Sequence, residues 1–387
     1  MRAPLPLPVA FDYRARLGRA GAALRGAGAD ALLVSHLPNL RYLSGLDATA
    51  GMGLLRGDGR LSLLVDPRYE AAAAAQVEAL GDDLLAVVPT ASVRPAACVA
   101  EACAREGIGS LVLESRVLSL HDARQLEQAL HKVQWAGTLV GRPLDLVEDL
   151  RRVKDQTELS LLREGGARLS EVARGVLVDG VAGAGRTELE VAADIDARVR
   201  AAGFSRAAFD TIVASGPRSA LPHARPTTRR LEPGDVVVLD FGGVYGGYCV
   251  DLTRTVCLGR PSSAVDRQYH AVLAAQQAGC AALRPGASPA DVDRMARQVL
   301  EDAGLGEAFG HGTGHGLGLE VHEAPRLARP RPDDAAQPSL EAGVVCTIEP
   351  GAYVTGRVGI RIEDDVVVTT DGCERITDVP LGWPTAH

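Results

Sequence analysis

The sequence predicts an α/β domain followed by a larger α+β domain, and three observations carry the prediction. The 387 residues exceed what one ordinary core accommodates, so two domains are expected. The first part alternates helical and strand-like patterns, as an α/β domain does. After Gly203 the chain turns strand-rich and glycine-rich, and it contains two segments of similar design.

In the first part, residues 14–25 carry helical spacing, residues 31–34 read as a short buried strand, and residues 61–65 read as another. The alanine-rich stretch 69–80 is a strong helix by propensity. Residues 111–114 form a third strand candidate. No cluster of His, Asp, Glu or Cys with ligand spacing occurs there. Around Pro143 to Asp155 the pattern changes, and two long helical patterns follow at 155–178 and 187–202. The second opens with Thr187 and, three residues on, Glu190, a capping-box pattern. The boundary falls near Leu150, giving domains 1–150 and 151–387.

The two similar segments are 236–251 and 344–363. Each is an apolar strand ending in a carboxylate, then a glycine-containing turn, then a strand with a second carboxylate. Each follows a Glu-x-Gly, at Glu232-Pro-Gly234 and Glu341-Ala-Gly343. This internal symmetry predicts two hairpins in related positions.

Composition narrows the function. Forty-one basic against 49 acidic side chains give a net charge of −8. That argues against nucleic acid or an anionic membrane as partner and suits a metalloenzyme rich in carboxylates. Seven cysteines, an odd number with no Cys-x-x-Cys, argue against a disulfide framework and for a reducing cytosol. The first residues are broken by prolines and do not read as a signal peptide. No apolar run is long enough to span a bilayer.

A carboxylate in an apolar strand is costly unless it is paired. Asp240 follows Val-Val-Val-Leu and Glu349 follows Val-Val-Cys-Thr-Ile; Asp251 and Glu363 close the two segments. A salt bridge to arginine is one way to pair such acids. A metal suits several converging carboxylates better, and two divalent cations balance the four charges where one leaves repulsion.

His315 offers a neutral nitrogen. It stands in Phe309-Gly-His-Gly-Thr-Gly-His-Gly-Leu-Gly, four residues after His311. Glycine at every second position makes a zinc-protease helix implausible, and residue 312 is not the glutamate which that helix requires. The glycines are expected to let the backbone approach a ligand closely.

These motifs together resemble the pita-bread metallopeptidase family, which includes methionine aminopeptidases, Xaa-Pro aminopeptidases, Xaa-Pro dipeptidases (prolidases) and creatinases. The matching runs are Leu239-Asp-Phe-Gly, Asp251-Leu-Thr-Arg-Thr, His311-Gly-Thr-Gly-His315, Glu320-Val-His-Glu323, Thr347-Ile-Glu-Pro-Gly and Arg361-Ile-Glu-Asp. They occur in family order across residues 151–387. The first 150 residues resemble the family's N-terminal domain more weakly, as in Asn39-Leu-Arg-Tyr-Leu-Ser-Gly. The resemblance implies an α+β pita-bread catalytic domain with internal pseudo-two-fold symmetry.

The resemblance also implies five metal ligands. Asp240 would bind one metal, Asp251 and Glu363 would bridge both, and His315 and Glu349 would complete the coordination of the second metal. Oxygen-rich ligation with one imidazole suits Mn²⁺, Co²⁺, Fe²⁺ or Zn²⁺, and the family favours Mn²⁺. Glu349 is implied as general base. His223, in Ser215-Gly-Pro-Arg-Ser-Ala-Leu-Pro-His, matches the histidine that sits over the substrate; the alternative is an ordinary loop histidine. His322 is expected to contact substrate near the scissile bond, and His311 to line a proline pocket. Arg361 stands two residues before Glu363, on the same face of a strand. It is expected to orient an acid; the alternative is a surface ion pair.

The expected activity is release of an N-terminal residue that precedes proline, from a proline-containing peptide. The imide lacks an N–H and its ring fixes φ, so a dedicated pocket is required. The sequence preference is for aminopeptidase P, with prolidase as the alternative, in which Arg326 would meet the free carboxylate. Methionine aminopeptidase, a creatinase-like amidinohydrolase and a non-enzymatic peptide-binding module are more remote readings. The resemblance further implies a homodimer or a dimer of dimers.

Overall fold

Apolar runs of four or five residues bounded by turn formers produce the first sheet. In the computed structural model, which describes residues 10–90, 95–141, 144–332 and 334–383, the chain divides into two compact units, Ala10–Arg151 and the residues from Arg152 onward. Residues 1–9, most of the stretch that does not read as a signal peptide, and Pro143, where the pattern changes, lie outside the described residues.

The first unit holds helices α1 (Tyr13–Gly26), α2 (Leu37–Ser44), α3 (Glu70–Leu80), α4 (Pro95–Arg105) and α5 (Leu120–Lys132), and most of α6 (Leu146–Arg152). Its strands are β1 (Ala31–Val34), β2 (Met52–Arg56), β3 (Leu61–Val65), β4 (Leu85–Pro89), β5 (Ser110–Leu113) and β6 (Thr138–Val140). They form one mixed sheet in the order β4-β3-β2-β1-β5-β6. The sequence pattern predicts β1, β3 and β5. The others carry weaker signals: Gly53 interrupts β2, Pro89 ends β4, and β6 has three residues. Leu33, Leu54, Leu111, Val99 and Leu126 meet in the core between this sheet and α4 and α5.

The second unit is built twice. Its first half has α7 (Gln156–Val178) and α8 (Glu188–Ala201) over β7 (Arg206–Ala207), β8 (Ile212–Ser215), β9 (Val236–Tyr245) and β10 (Tyr248–Cys257). Both helices begin as their sequences direct. Asp155 with Glu158, and Thr187 with Glu190, each form a complete capping box. The second half has α9 (Ser263–Ala282) and α10 (Pro289–Asp302) over β11 (Gly314–Gly316), β12 (Glu323–Leu327), β13 (Val345–Ile348), β14 (Gly351–Tyr353), β15 (Gly359–Arg361), β16 (Asp364–Val368) and β17 (Cys373–Arg375). The expectation of a strand-rich chain after Gly203 omits α9 and α10. Their apolar faces carry Tyr269, Val272, Ala296 and Leu300 into a core shared with Phe309, Ala352 and Ile360.

The internal symmetry is present, with one difference. Gly234 and Gly343 occupy equivalent turns at φ 91° and 96°, a region that favours glycine. β9 and β10 form one long hairpin. The second segment is likewise one hairpin in a single register, but its ladder is interrupted: β13 pairs with β16, and β14 with β15 continues the same register beyond Glu349 and Pro350. Among the described residues no helix is long and apolar enough to cross a membrane.

Candidate metal centre

The two halves present their acids by strand register. On the first hairpin Asp240 pairs with Thr253 and Asp251 with Gly242, so the two acids are diagonal neighbours on one face. In the second half Ile348 pairs with Asp364, and one further step in that register sets Glu349 opposite Glu363. His315 lies on β11, whose Gly316 pairs with Cys346 of β13. Ligand atoms of Asp251, His315 and Glu363 all lie within 4.8 Å of one another. Nε2 of His315 is 3.4 Å from Oε1 of Glu349. Asp240 joins through Arg361, whose Nη2 donates to its Oδ2.

The chemistry of this set fits divalent cations. Oδ1 of Asp240, Oδ1 of Asp251 and Oε1 of Glu363 are buried and accept no hydrogen bond. Oxygens in that state are costly unless something positive meets them. Burial, then the charge of Glu363, pushes the carboxyls of Asp251 and Glu349 well above the usual carboxylate range. Burial, then Asp240, pushes Glu363 up to about 8. Burial pushes the His315 imidazole down to about 4, which keeps its ring neutral and able to ligate at pH 7. Three buried carboxylates raised in this way, with the Asp240 carboxylate and one neutral imidazole beside them, form a donor set suited to divalent cations.

Arg361 is only 3% exposed, so it is not a surface ion pair. Its Nε donates to Thr253 Oγ1 at 3.1 Å, and Thr253 Oγ1 donates to Glu363. Its Nη1 donates to Tyr353 Oη at 2.8 Å and to the carbonyl of Pro222 at 3.1 Å. It thereby links both acidic strands to the loop that carries His223. That histidine is exposed. Burial depresses both His311, where Arg361 is the next cause, and His322, and the nearness of His223 adds to both, so the three rings share one neighbourhood. His322 packs edge-on to His315 with ring centroids 4.3 Å apart. Nε2 of His311 meets Tyr353 Oη at 3.0 Å.

One expectation is corrected. Gly314 and Gly316 let strands approach one another rather than opening the backbone to a ligand, while Gly310 faces open space. A Cβ on Gly314 would lie 2.0 Å from the Thr347 carbonyl oxygen, and one on Gly316 would lie 2.2 Å from that of Ala324. Gly314→Ala is therefore expected to cost about 1–3 kcal/mol or more by overpacking, read as a lower denaturant midpoint with an unchanged slope.

Sequence reasoning passed over several groups at this site. Asp365 is buried, and its Oδ2 accepts the Asp251 N–H at 2.8 Å. Arg254 pairs with buried Asp364 at 2.8 Å and donates to the Glu363 carbonyl at 2.6 Å. Lys154 pairs at 2.6 Å with Glu323, the neighbour of His322. The available signal was charge inside apolar runs, as in Glu363-Asp-Asp-Val-Val-Val.

Comparison with known proteins accounts for this arrangement. Residues 160–370 match metallopeptidase family M24, and residues 16–153 match the creatinase/prolidase N-terminal domain. The chain belongs to metallopeptidase family M24: it is a peptidase with a pita-bread catalytic fold and a creatinase-type N-terminal domain. A probable dipeptidase, PepE, of Mycobacterium tuberculosis is 38% identical over 95% of this chain and 95% of its own. The solved structure of an Xaa-Pro dipeptidase from Bacillus anthracis superposes with a TM-score of 0.87 at 34% identity, covering 96% of this chain and 99% of that one. An X-Pro aminopeptidase from Thermotoga maritima superposes with 0.78 at 33% identity, covering 93% and 99%.

Proposed function

We propose that the protein is an Xaa-Pro dipeptidase, a prolidase, and not the aminopeptidase P that the sequence alone favours. The observation that carries this reading is the whole-length similarity to a protein named as an Xaa-Pro dipeptidase, at a TM-score of 0.87 against 0.78 for the X-Pro aminopeptidase. The placement of Arg326 supports it. Arg326 is the ladder partner of His315, so its side chain emerges on the same face. An arginine there suits the free carboxylate of a dipeptide. The test compares Xaa-Pro with Xaa-Pro-Yaa at matched concentrations. Dipeptide hydrolysis is expected to dominate; equal or faster release from the tripeptide overturns the assignment.

Asp240, Asp251, His315, Glu349 and Glu363 hold two divalent ions in this reading, with Mn²⁺ as the activating metal. When bound, such ions supply Lewis acidity, polarising the scissile carbonyl and making water more acidic. Glu349 takes the proton of the attacking water on a carboxylate oxygen and passes it to the imide nitrogen. His223 donates toward the carbonyl oxygen as that atom gains charge. His322 contacts substrate near the scissile bond, and His311 lines the proline pocket. Arg361 holds the Asp240 carboxylate in place while it fixes the Pro222 carbonyl, and with it the His223 loop. All seven cysteines are free, which supports a reducing, cytoplasmic setting. The substrate is a small proline-containing peptide, with neither nucleic acid nor membrane as partner, and the protein works as a homodimer or a dimer of dimers.

A further inference from the structure

Outside the acidic centre, α10 carries a buried charged pair that the chemistry above does not use. Asp293 is wholly buried and Arg297 nearly so. Their i, i+4 spacing ordinarily marks an ion pair on an exposed helix face. Here the guanidinium meets both carboxylate oxygens, Nε to Oδ2 at 3.0 Å and Nη2 to Oδ1 at 2.9 Å. The contacts continue beyond the pair. Arg297 donates to the carbonyls of Phe309, at 2.8 Å, and His311, at 2.7 Å. Oδ1 of Asp293 accepts from the N–H of Thr313 at 3.0 Å and from its hydroxyl at 2.9 Å. Residues 309, 311 and 313 are thus held by two side chains of one helix. Thr313 passes the constraint on, because its carbonyl accepts the N–H of Glu349 at 2.8 Å.

The composition of the held segment explains why it needs this grip. Strand register is normally fixed by side chains packing on one face, and glycine-rich strands specify it weakly. Positions 310, 312, 314, 316 and 318 are all glycine. A buried ion pair is a poor device for stability, since apolar residues of similar volume do as well. It does provide short, directional, charge-assisted bonds to backbone atoms.

We infer that Asp293 and Arg297 are positioning residues that set where His311 and Glu349 stand relative to the substrate. The inference rests on the prolidase reading for the substrate but not for the geometry. The main test is Arg297→Lys, which keeps the charge but cannot reproduce the planar fork. Full-length protein saturated with Mn²⁺ is assayed well below its melting temperature. We expect kcat/KM on an Xaa-Pro dipeptide to fall at least about tenfold, with KM raised through His311 and kcat lowered through Glu349. Amide exchange should quicken in the peptides covering 309–315 and 347–351 and stay unchanged elsewhere.

Arg168→Lys serves as the comparison, because Arg168 holds Glu164 and the Ala202 carbonyl on α7 and α8. It should change melting temperature without either local effect. The inference is overturned if Arg297→Lys keeps wild-type kinetics and exchange, or if its exchange quickens uniformly across the unit. Should Arg297→Lys not fold, Thr313→Val removes the hydroxyl bond alone and is read the same way, with unchanged kinetics overturning the inference. If wild-type protein does not cleave Xaa-Pro, the substrate reading fails while the exchange comparison still decides the positioning role.

Discussion

Glu349→Gln is expected to lower kcat on an Xaa-Pro dipeptide by about 10²–10⁴-fold, the range typical for loss of a general base. Glutamine keeps the shape of the side chain and loses the ability to take up a proton. Without cations, burial and then Glu363 push its carboxyl well above the ordinary range, and bound cations would draw it back down, leaving an ionised oxygen free to take a proton. Steady-state kinetics at saturating Mn²⁺, with the metal content of the dialysed variant measured alongside, checks the prediction. A variant that retains full metal content and more than about a tenth of the activity removes Glu349 from proton transfer.

Chelation is expected to make the protein lose stability as pH rises from 6.5 to 8, and added Mn²⁺ to cancel that loss. Glu363 titrates at about 8 in the fold against an ordinary 4.5, and Asp251 and Glu349 are raised in the same direction. Between the two values the native state holds protons that the unfolded chain has released. Stability is therefore greatest on the acid side and falls as pH climbs through the folded values. His311 and His315 act in the opposite sense. They are depressed to about 4 from 6.5, so their contribution is lost as pH drops below 6.5. Between 6.5 and 8 the carboxylates act without that opposition. Cations bind the deprotonated acids of the native state and favour it by mass action. Melting temperatures across this window, with and without chelator, provide the measurement. A chelated protein with a constant melting temperature would mean that the acids do not repel one another as their burial implies.

Much of the catalytic unit was legible because its acids stand where apolar residues belong. Asp240 and Glu349 close runs of β-branched and apolar residues, and a carboxylate in such a place requires a partner. The capping box at Thr187 was equally local, since it needs only four consecutive residues. Other features depend on contacts distant in sequence. Asp293 and Arg297 look like a solvated pair until Phe309 and Thr313 are seen packed on them. Lys154 and Glu323 stand 169 residues apart and nothing near either one announces the other. The preference for dipeptide or longer substrate turns on what lies beyond the proline ring, a matter of shape that no single motif encodes. The reading of the glycines went astray for a related reason. Missing side chains show that something comes close, and here it was the neighbouring strand.

The close fit of Gly314 and Gly316 against the backbone of their neighbours bears on how this enzyme can diversify. Gly312, Gly314 and Gly316 have no room for a side chain beside the neighbouring backbone, Thr313 is bonded to Asp293, Leu317 is buried, and His315 belongs to the acidic centre. Such a stretch has almost no neutral variants, so drift and directed evolution alike must leave it nearly fixed. New substrate preferences have to be written elsewhere. The exposed turn at Leu221, held by Arg361 at the Pro222 carbonyl, is where a library of substitutions that spares His223 would find room to work.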